Sequence, residues 1–387
     1  MTSSQESEGF KYDTPAFIQV KHPALKEALE TIEHTVFYTN QVGRIILPPE
    51  LKKYAVQIGN STYRLGIGGL HSSEQNTTHT SNEDHQLYDF DVVSYYPAII
   101  IKLKLFPESA GPGFVKVFKE YVDMRVNAKK SGDDVTAAAL KIAINGVYGK
   151  FGSKWSFLYA PQNIIQVTIT GQLCLLMLIE ALESEGIPVV SANTDGIVIK
   201  CPDDKYDMMY FIVDEWETIT EFETESTRYK SLHSRDVNNY IAIKDDGFKS
   251  KGAFSTPGLM KNPETSICNQ AVINYLIDGK PLQDTIQECK DVTQFVSVRT
   301  VRDGALDQRG DYLGKVIRWY YAKGIEGPIT HSINGYKVPK SEGAQALMDL
   351  PNQFPTDINY DWYLGEAQSL LTDLGVLIDD ETEGTIH

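Results

Sequence analysis

The sequence predicts an α+β protein of two or three subdomains, and three observations carry that expectation. At 387 residues, 42% apolar and 10% aromatic, the chain is long enough to bury more than one core. β-Branched runs that meet at turn residues, IPVVSANTDGIVIKC and VNNYIAIKDDGFKSKGAF, predict antiparallel hairpins. Around them lie segments with helical spacing at 114–130 and 135–148, and a long apolar helix at 161–186.

In chain order, residues 1–88 mix short strand-like and helical pieces with a polar loop, SSEQNTTHTSNEDH, at 72–85. The glycine-rich YRLGIGGLHS, 63–72, has no GK[ST] after it and reads as a turn rather than a phosphate loop. DFDVVSYYPAIIIK, 89–102, reads as a strand running into a helix, with Asp89 and Asp91 on one face of the strand by alternation. SGDD at 131–134 breaks the helical spacing, so the helices on either side should lie antiparallel. The apolar helix ends near Gly186, and the second hairpin turns at Asp246-Gly247. Beyond about residue 258, PETSICNQAVINYLIDG and LGKVIRWYYAKG read as helices alternating with loops, a separate α-rich unit. The acidic DDETEG reads as disordered.

No stretch approaches about 18 uninterrupted apolar residues, and MTSSQESEGF has neither a basic nor an apolar leader region, so no membrane partner and a cytoplasmic location are expected. Cys174, Cys201, Cys268 and Cys289 form no CxxC pair and are expected to be buried reduced thiols. The net charge of −16 alone argues against a nucleic-acid partner. The distribution of charge points the other way. Ten acids and no base occupy 341–387, and nine acids against three bases occupy 201–230, whereas ten bases face seven acids in 89–154 and fifteen face twelve in 231–340. A partner meets the local field, and two blocks are mildly basic.

Asp91 ends a strand and Asp195 occupies a hairpin tip, two places where a sheet can hold carboxylates at an exposed edge; together they would suit divalent cations. Between them in sequence, KIAINGVYGKFGS sets Lys141, Asn145 and Tyr148 or Gly149 on one helix face, and the preceding helix carries Arg125 and Lys129 four apart. Acids flanking a basic helical projection suit a polyphosphate held over metal ions.

These stretches resemble a known family. DVVSYYPAII is similar to motif A of the family B DNA polymerases (DxxSLYPSII), KIAINGVYG to their motif B (KxxxNSxYG), and NTDGIVI to motif C (DTDS before an apolar strand), in the family's order. The strong match covers roughly 86–200, and a softer resemblance to bacteriophage-type members continues through VNNYIAI, KSKGAF and LMKNP.

The resemblance implies a right-hand polymerase with an antiparallel-sheet palm, two-helix fingers and a mainly helical thumb. After an N-terminal segment at 1–29, the palm would span 30–102 and 156–258, the fingers 103–155, and the thumb with its acidic tail 259–387. It further implies primer extension on a DNA template from deoxynucleoside triphosphates, with two magnesium ions or manganese as a substitute, in viral DNA replication within a host cytoplasm. Asp91 and Asp195 would be catalytic and hold the metals, with the Val92 carbonyl as a further ligand. Arg125, Lys129 and Lys141 would grip the triphosphate with backbone groups near Ser94 and Tyr95, and Asn145 would face the nascent pair. Tyr96 would pack beneath the sugar and exclude a 2′-hydroxyl, while Tyr148, Gly149, Tyr240 and Lys251 would contact template or primer. Asp89 has no matching role and is expected to solvate the strand entrance. Motif C departs from the pattern at Ser191, Asn193 and Gly196, and the lysine pair expected before Tyr240 is replaced by Asn238 and Asn239. Those motif C changes favour the alternative, a non-catalytic polymerase-like DNA-binding or scaffold subunit. The 88 residues before motif A leave no room for the 3′–5′ exonuclease the family carries, so either the exonuclease is a separate polypeptide, or the chain is a fragment, or the enzyme never proofreads; a separately encoded exonuclease or other replication proteins are the candidate partners.

Overall fold

The computed structural model describes residues 9–52, 54–256 and 262–377. DDETEG and the first three residues of LMKNP therefore lie outside the described residues. The chain divides into two compact units, one drawn from residues 1–74 and 80–230, the other from 75–79 and 231–387.

The first unit begins with α1 (Pro23–His34), β1 (Tyr38–Thr39), β2 (Ile45–Ile46), β3 (Ala55–Ile58), β4 (Ser61–Arg64) and β5 (His71–Ser72). The chain then makes β6 (Gln75–Thr80), most of which belongs to the second unit, and returns as β7 (His85–Val92). The stretch read as a polar loop at 72–85 is thus largely strand. Its alternating Gln75-Asn76-Thr77-Thr78-His79-Thr80 carries no apolar signal because the pairing, not burial, defines it. There follow α2 (Tyr95–Lys102), α3 (Gly113–Lys130), α4 (Asp134–Phe151), α5 (Pro161–Ser184), β8 (Val189–Asn193), β9 (Gly196–Pro202), α6 (Tyr206–Thr220) and β10 (Thr224–Tyr229). An antiparallel seven-stranded sheet runs β10-β7-β9-β8-β5-β4-β3.

Helix α5 organises this unit. Pro161 starts it, and Gly186 at φ +72° stops it in a left-handed cap, where the Gly186 and Ile187 N–H groups return to Glu183 and Leu182 at 3.0 Å each. Its length and composition would suffice to cross a membrane, yet its residues are buried against α2, α6 and β3. Leu173, Leu175, Leu176 and Ile179 are fully buried, each contributing about 1.5–3 kcal/mol by transfer from water. On β7, Phe90 and Val92 face this core, so alternation turns Asp89 and Asp91 to the opposite face.

The second unit contains β11 (Ser231–Asp236), β12 (Asn239–Lys244), β13 (Gly247–Lys251), α7 (Ser266–Asp278), α8 (Leu282–Glu288), β14 (Ser297–Leu306), β15 (Tyr312–Tyr321), β16 (Thr330–His331), β17 (Ala344–Leu347) and α9 (Tyr360–Asp373). One sheet runs β13-β12-β11-β6 and another β16-β14-β15-β17. The mainly helical thumb expected from 259 onward is corrected here: LGKVIRWYYAKG is not a helix but the ten-residue β15, hydrogen-bonded between β14 and β17. Its Val, Ile, Trp and Tyr residues favour a pleated surface, and the apparent helical spacing came from Leu313, Val316, Ile317, Tyr320 and Tyr321 falling three and four apart. The four cysteines are free thiols; Cys289 is half-exposed rather than buried.

Within this unit, Thr78 donates to the Leu374 carbonyl at 2.9 Å, and its oxygen lies 2.9 Å from His233 Nδ1; Ser231 Oγ lies 2.8 Å from Nε2. With its hydroxyl proton committed to Leu374, Thr78 accepts from Nδ1–H, which fixes the neutral tautomer. Burial, reinforced by the nearby His79, pulls the His233 pKa from 6.5 down to about 4. The unfolded chain therefore takes up a proton below about pH 6.5 that the folded chain refuses until about pH 4, so stability falls as pH drops through that window. Urea titrations at pH 7 and 4.5 should show a smaller pH dependence for His233→Asn than for the wild type; equal dependence would contradict this assignment.

Candidate active site

The strand register brings Asp91, on β7, beside the turn that carries Asp195. Asp91 pairs across β7 and β9 with Gly196, and the Val92 N–H donates to the Asp195 carbonyl at 2.7 Å. Asp195 itself lies in the two-residue turn between β8 and β9, where Thr194 takes φ +58° and the Asp195 N–H bonds Asn193 O at 2.6 Å. Asp91 is half-buried and Asp195 exposed.

Gly196 explains how the Asp91 carboxylate fits. A Cβ at 196 would lie 2.4 Å from Asp91 Oδ1 and 2.9 Å from the Phe90 carbonyl oxygen, so Asp91 leans over the space a side chain would take. Two carboxylates and the Val92 carbonyl are oxygen donors of the kind hard divalent cations prefer, and the open position over Gly196 leaves Asp91 able to present one. Among the described residues no three His, Cys, Asp or Glu side chains form a ready-made metal cluster. By donor chemistry the two carboxylates would suit a hard cation whose other ligands came from substrate or water.

Asp89 does not solvate the strand entrance as expected. It is buried, and the Tyr229 phenol of β10 donates to its Oδ2. Alternation placed it correctly on the Asp91 face, but the Tyr229 side chain from the neighbouring strand β10 reaches across to it.

Helices α2, α3 and α4 bring the remaining residues toward this edge. Ser94, the N-cap of α2 at φ +48°, accepts from Arg125 Nη1 of α3 at 2.6 Å, and the buried Arg125 Nε has no protein partner among the described residues. The Tyr95 side chain is buried and donates to the Gly171 carbonyl at 2.6 Å, which leaves only its backbone for a ligand. The Tyr96 ring packs on Tyr148 of α4 with centroids 4.9 Å apart. Burial, and then the negative charge of Asp195, push the Tyr96 phenol up to about 12, and burial also raises Tyr148. Lys141, Asn145 and Gly149 are exposed along α4. Lys129 is engaged by Glu225 at 2.8 and 3.0 Å, and Glu225 is the β10 residue opposite Asp91. Tyr240 and Lys251 stand directly opposite each other on β12 and β13, in the second unit.

Sequence reasoning missed Glu225 and Tyr229. Acids at Glu221, Glu223 and Glu225 alternate as a strand would require, but nothing in EFETESTRY announces which strand it joins.

No protein-family model matches the sequence. Over 138 residues, 34% of the chain, it is 28% identical to DNA polymerase 1 of Saccharolobus solfataricus. The chain spans about 15% of the length of that curated relative. Among solved structures, the family B DNA polymerase from the hyperthermophilic archaeon Pyrobaculum calidifontis matches with a TM-score of 0.48 and 16% identity, over 94% of this chain and 50% of that one. The chain is thus weakly similar to archaeal DNA polymerases over about a third of its sequence.

Because a Cβ at 196 must displace Asp91 or the β7 backbone, Gly196→Ala should cost about 1–3 kcal/mol by overpacking. Urea unfolding measures it, and an undiminished midpoint would contradict the packing of Asp91 over Gly196.

Proposed function

We propose that the chain is a DNA-directed DNA polymerase that extends a primer from deoxynucleoside triphosphates, with viral DNA replication as the setting suggested by its bacteriophage-type motifs. The observation that carries the reading is the β7–β9 pairing, which brings Asp91 on β7 and Asp195 in the turn before β9 together from far apart in sequence, through the 2.7 Å bond from the Val92 N–H to the Asp195 carbonyl. The partial identity to an archaeal DNA polymerase points the same way.

In this reading Asp91, Asp195 and the Val92 carbonyl would hold two Mg²⁺ ions, or Mn²⁺ in their place. Such ions, when bound, supply Lewis-acid activation of the primer 3′-hydroxyl and stabilise the departing pyrophosphate. The protein's own groups do the rest. Arg125, already directed at Ser94 and with an unspent Nε–H, suits a phosphate oxygen beside the α2 N-terminus. Lys141 adds an exposed cation on α4. Lys129 can join only by exchanging Glu225 for phosphate, so it contributes charge more readily than a fixed contact. Tyr96, held by Tyr148 on one side, offers a ring edge that would crowd a 2′-hydroxyl and so select deoxyribonucleotides. Asn145 and Gly149 would meet the nascent pair, and Tyr240 and Lys251 the primer.

The departures at Ser191, Asn193 and Gly196 favour a second reading, a DNA-binding scaffold without catalysis. Ser191 donates to Glu74 at 2.5 Å and so has a structural use that asks for no catalysis. Incorporation on a primed template separates the two. Wild-type protein should extend the primer in a Mg²⁺-dependent way, and Asp195→Ala should lower the rate by about 10³-fold or more through loss of electrostatic stabilisation at the reacting phosphate, with the fold intact by circular dichroism. Tight DNA binding without incorporation by the wild type would support the scaffold, and undiminished extension by Asp195→Ala would overturn the site.

A further inference from the structure

The GIGG loop, Gly66 to Gly69, found no use as a phosphate loop, yet it touches the turn that carries Asp195. The Thr194 N–H donates to the carbonyl of the fully buried Leu70 at 2.8 Å. A Cβ at Gly69 would lie 2.3 Å from Thr194 Oγ1, 2.6 Å from its Cβ and 2.7 Å from its Cα, so only glycine lets the loop pass this close to the turn. Thr194 is a β-branched residue at φ +58°, a conformation that persists only when its surroundings impose it.

The imposing structure can be traced into the core. Gln172 is 2% exposed in the middle of α5, an amide among leucines. Its Oε1 accepts from the Gly66 N–H at 3.0 Å, and its Nε2 donates to the carbonyls of Gly66 and Gly68 at 2.8 Å each. The loop is thereby fastened to the most deeply buried helix of the unit, and the next strand, β5, continues the contact along β8: Ser72 Oγ accepts from the Ala192 N–H at 2.7 Å, and His71 pairs with Asn193.

We propose that the GIGG loop, braced by Gln172, is a seat that fixes the Thr194–Asp195 turn and so sets the direction of the Asp195 carboxylate. Gly69 and Gln172 are positioning residues for the catalytic Asp195, a role that rests on the polymerase reading above. The buried amide donates to two loop carbonyls and accepts from a loop N–H, and so ties the loop to the rigid α5.

Amide hydrogen exchange and single-turnover kinetics on the full chain test this together. Gly69→Ala should raise exchange at residue 194 about tenfold or more as the seat opens locally. It should also lower kcat for primer extension about tenfold to a hundredfold by misplacing Asp195, while KM for the nucleotide changes by less than about twofold. Gly68→Ala is the control, since a Cβ there meets nothing within 4 Å, and both readouts should stay at wild-type values. Adding Thr194→Gly to Gly69→Ala should recover part of the lost kcat by removing the side-chain collision. Should Gly69→Ala not fold, Gln172→Met, which keeps the volume and loses the hydrogen bonds, should give the same two changes. Unchanged exchange at 194, or raised exchange with unchanged kcat, would overturn the positioning role. Raised exchange in Gly69→Ala when the wild type extends no primer would keep the seat and remove the polymerase reading.

Discussion

The antiparallel pairing of β7 with β9 is the constraint on which the rest of the first unit depends. Its register puts Asp91 opposite Gly196 and lets the Val92 N–H reach the Asp195 carbonyl at 2.7 Å. A slip of one residue would turn Phe90 and Val92 out of the core and Asp91 into it, and both changes are costly: buried apolar area would be lost and a carboxylate desolvated. Core packing thus specifies the position of the acids. The hydrophobic face of β7, with Phe90 edge-on to Tyr210 of α6, fixes which carboxylates the opposite face presents.

Around that pairing the structure separates acids by surroundings. Asp89 is buried with a phenol donor from Tyr229, Asp91 leans half-buried over a glycine, and Asp195 stands exposed in a turn. Only the last two are placed to meet a cation from solvent. Glu225, opposite Asp91 on the other side, is occupied by Lys129. The pair is solvent-exposed and contributes little to stability, so it can open when a competing anion arrives.

Much of this was legible in the sequence where local pattern and fold agree. The helices at 114–130 and 135–148, the apolar helix ending at Gly186 and both hairpins follow from periodicity and turn residues, because each is defined within one stretch of chain. Strand partners were not legible. Residues 75–80 have no apolar alternation, so their threonines give only a weak strand signal, and pairing with β11 makes them a strand. LGKVIRWYYAKG carries both a helical spacing and a strand-forming composition, and the sheet neighbours decided between them. In the site, the motif spacing nominated Asp91, Asp195, Tyr96 and Arg125, and the fold brings Asp91 beside the Asp195 turn and Arg125 to Ser94. The partners of Asp89 and Lys129 depend on β10, which lies more than 90 residues from either. Gln172 offered a readable clue, a lone amide in ITGQLCLL, though not what it would hold.

In the polymerase reading proposed above, Asp91 and Asp195 together hold the cations for nucleotidyl transfer. Anomalous diffraction from crystals of the chain with primed template, a nucleotide and Mn²⁺ tests it most directly. Two anomalous peaks about 3.5–4 Å apart, both bounded by the Asp91 and Asp195 carboxylates, are the expected result. Nucleotide bound at this edge with no anomalous peak beside either carboxylate would contradict it.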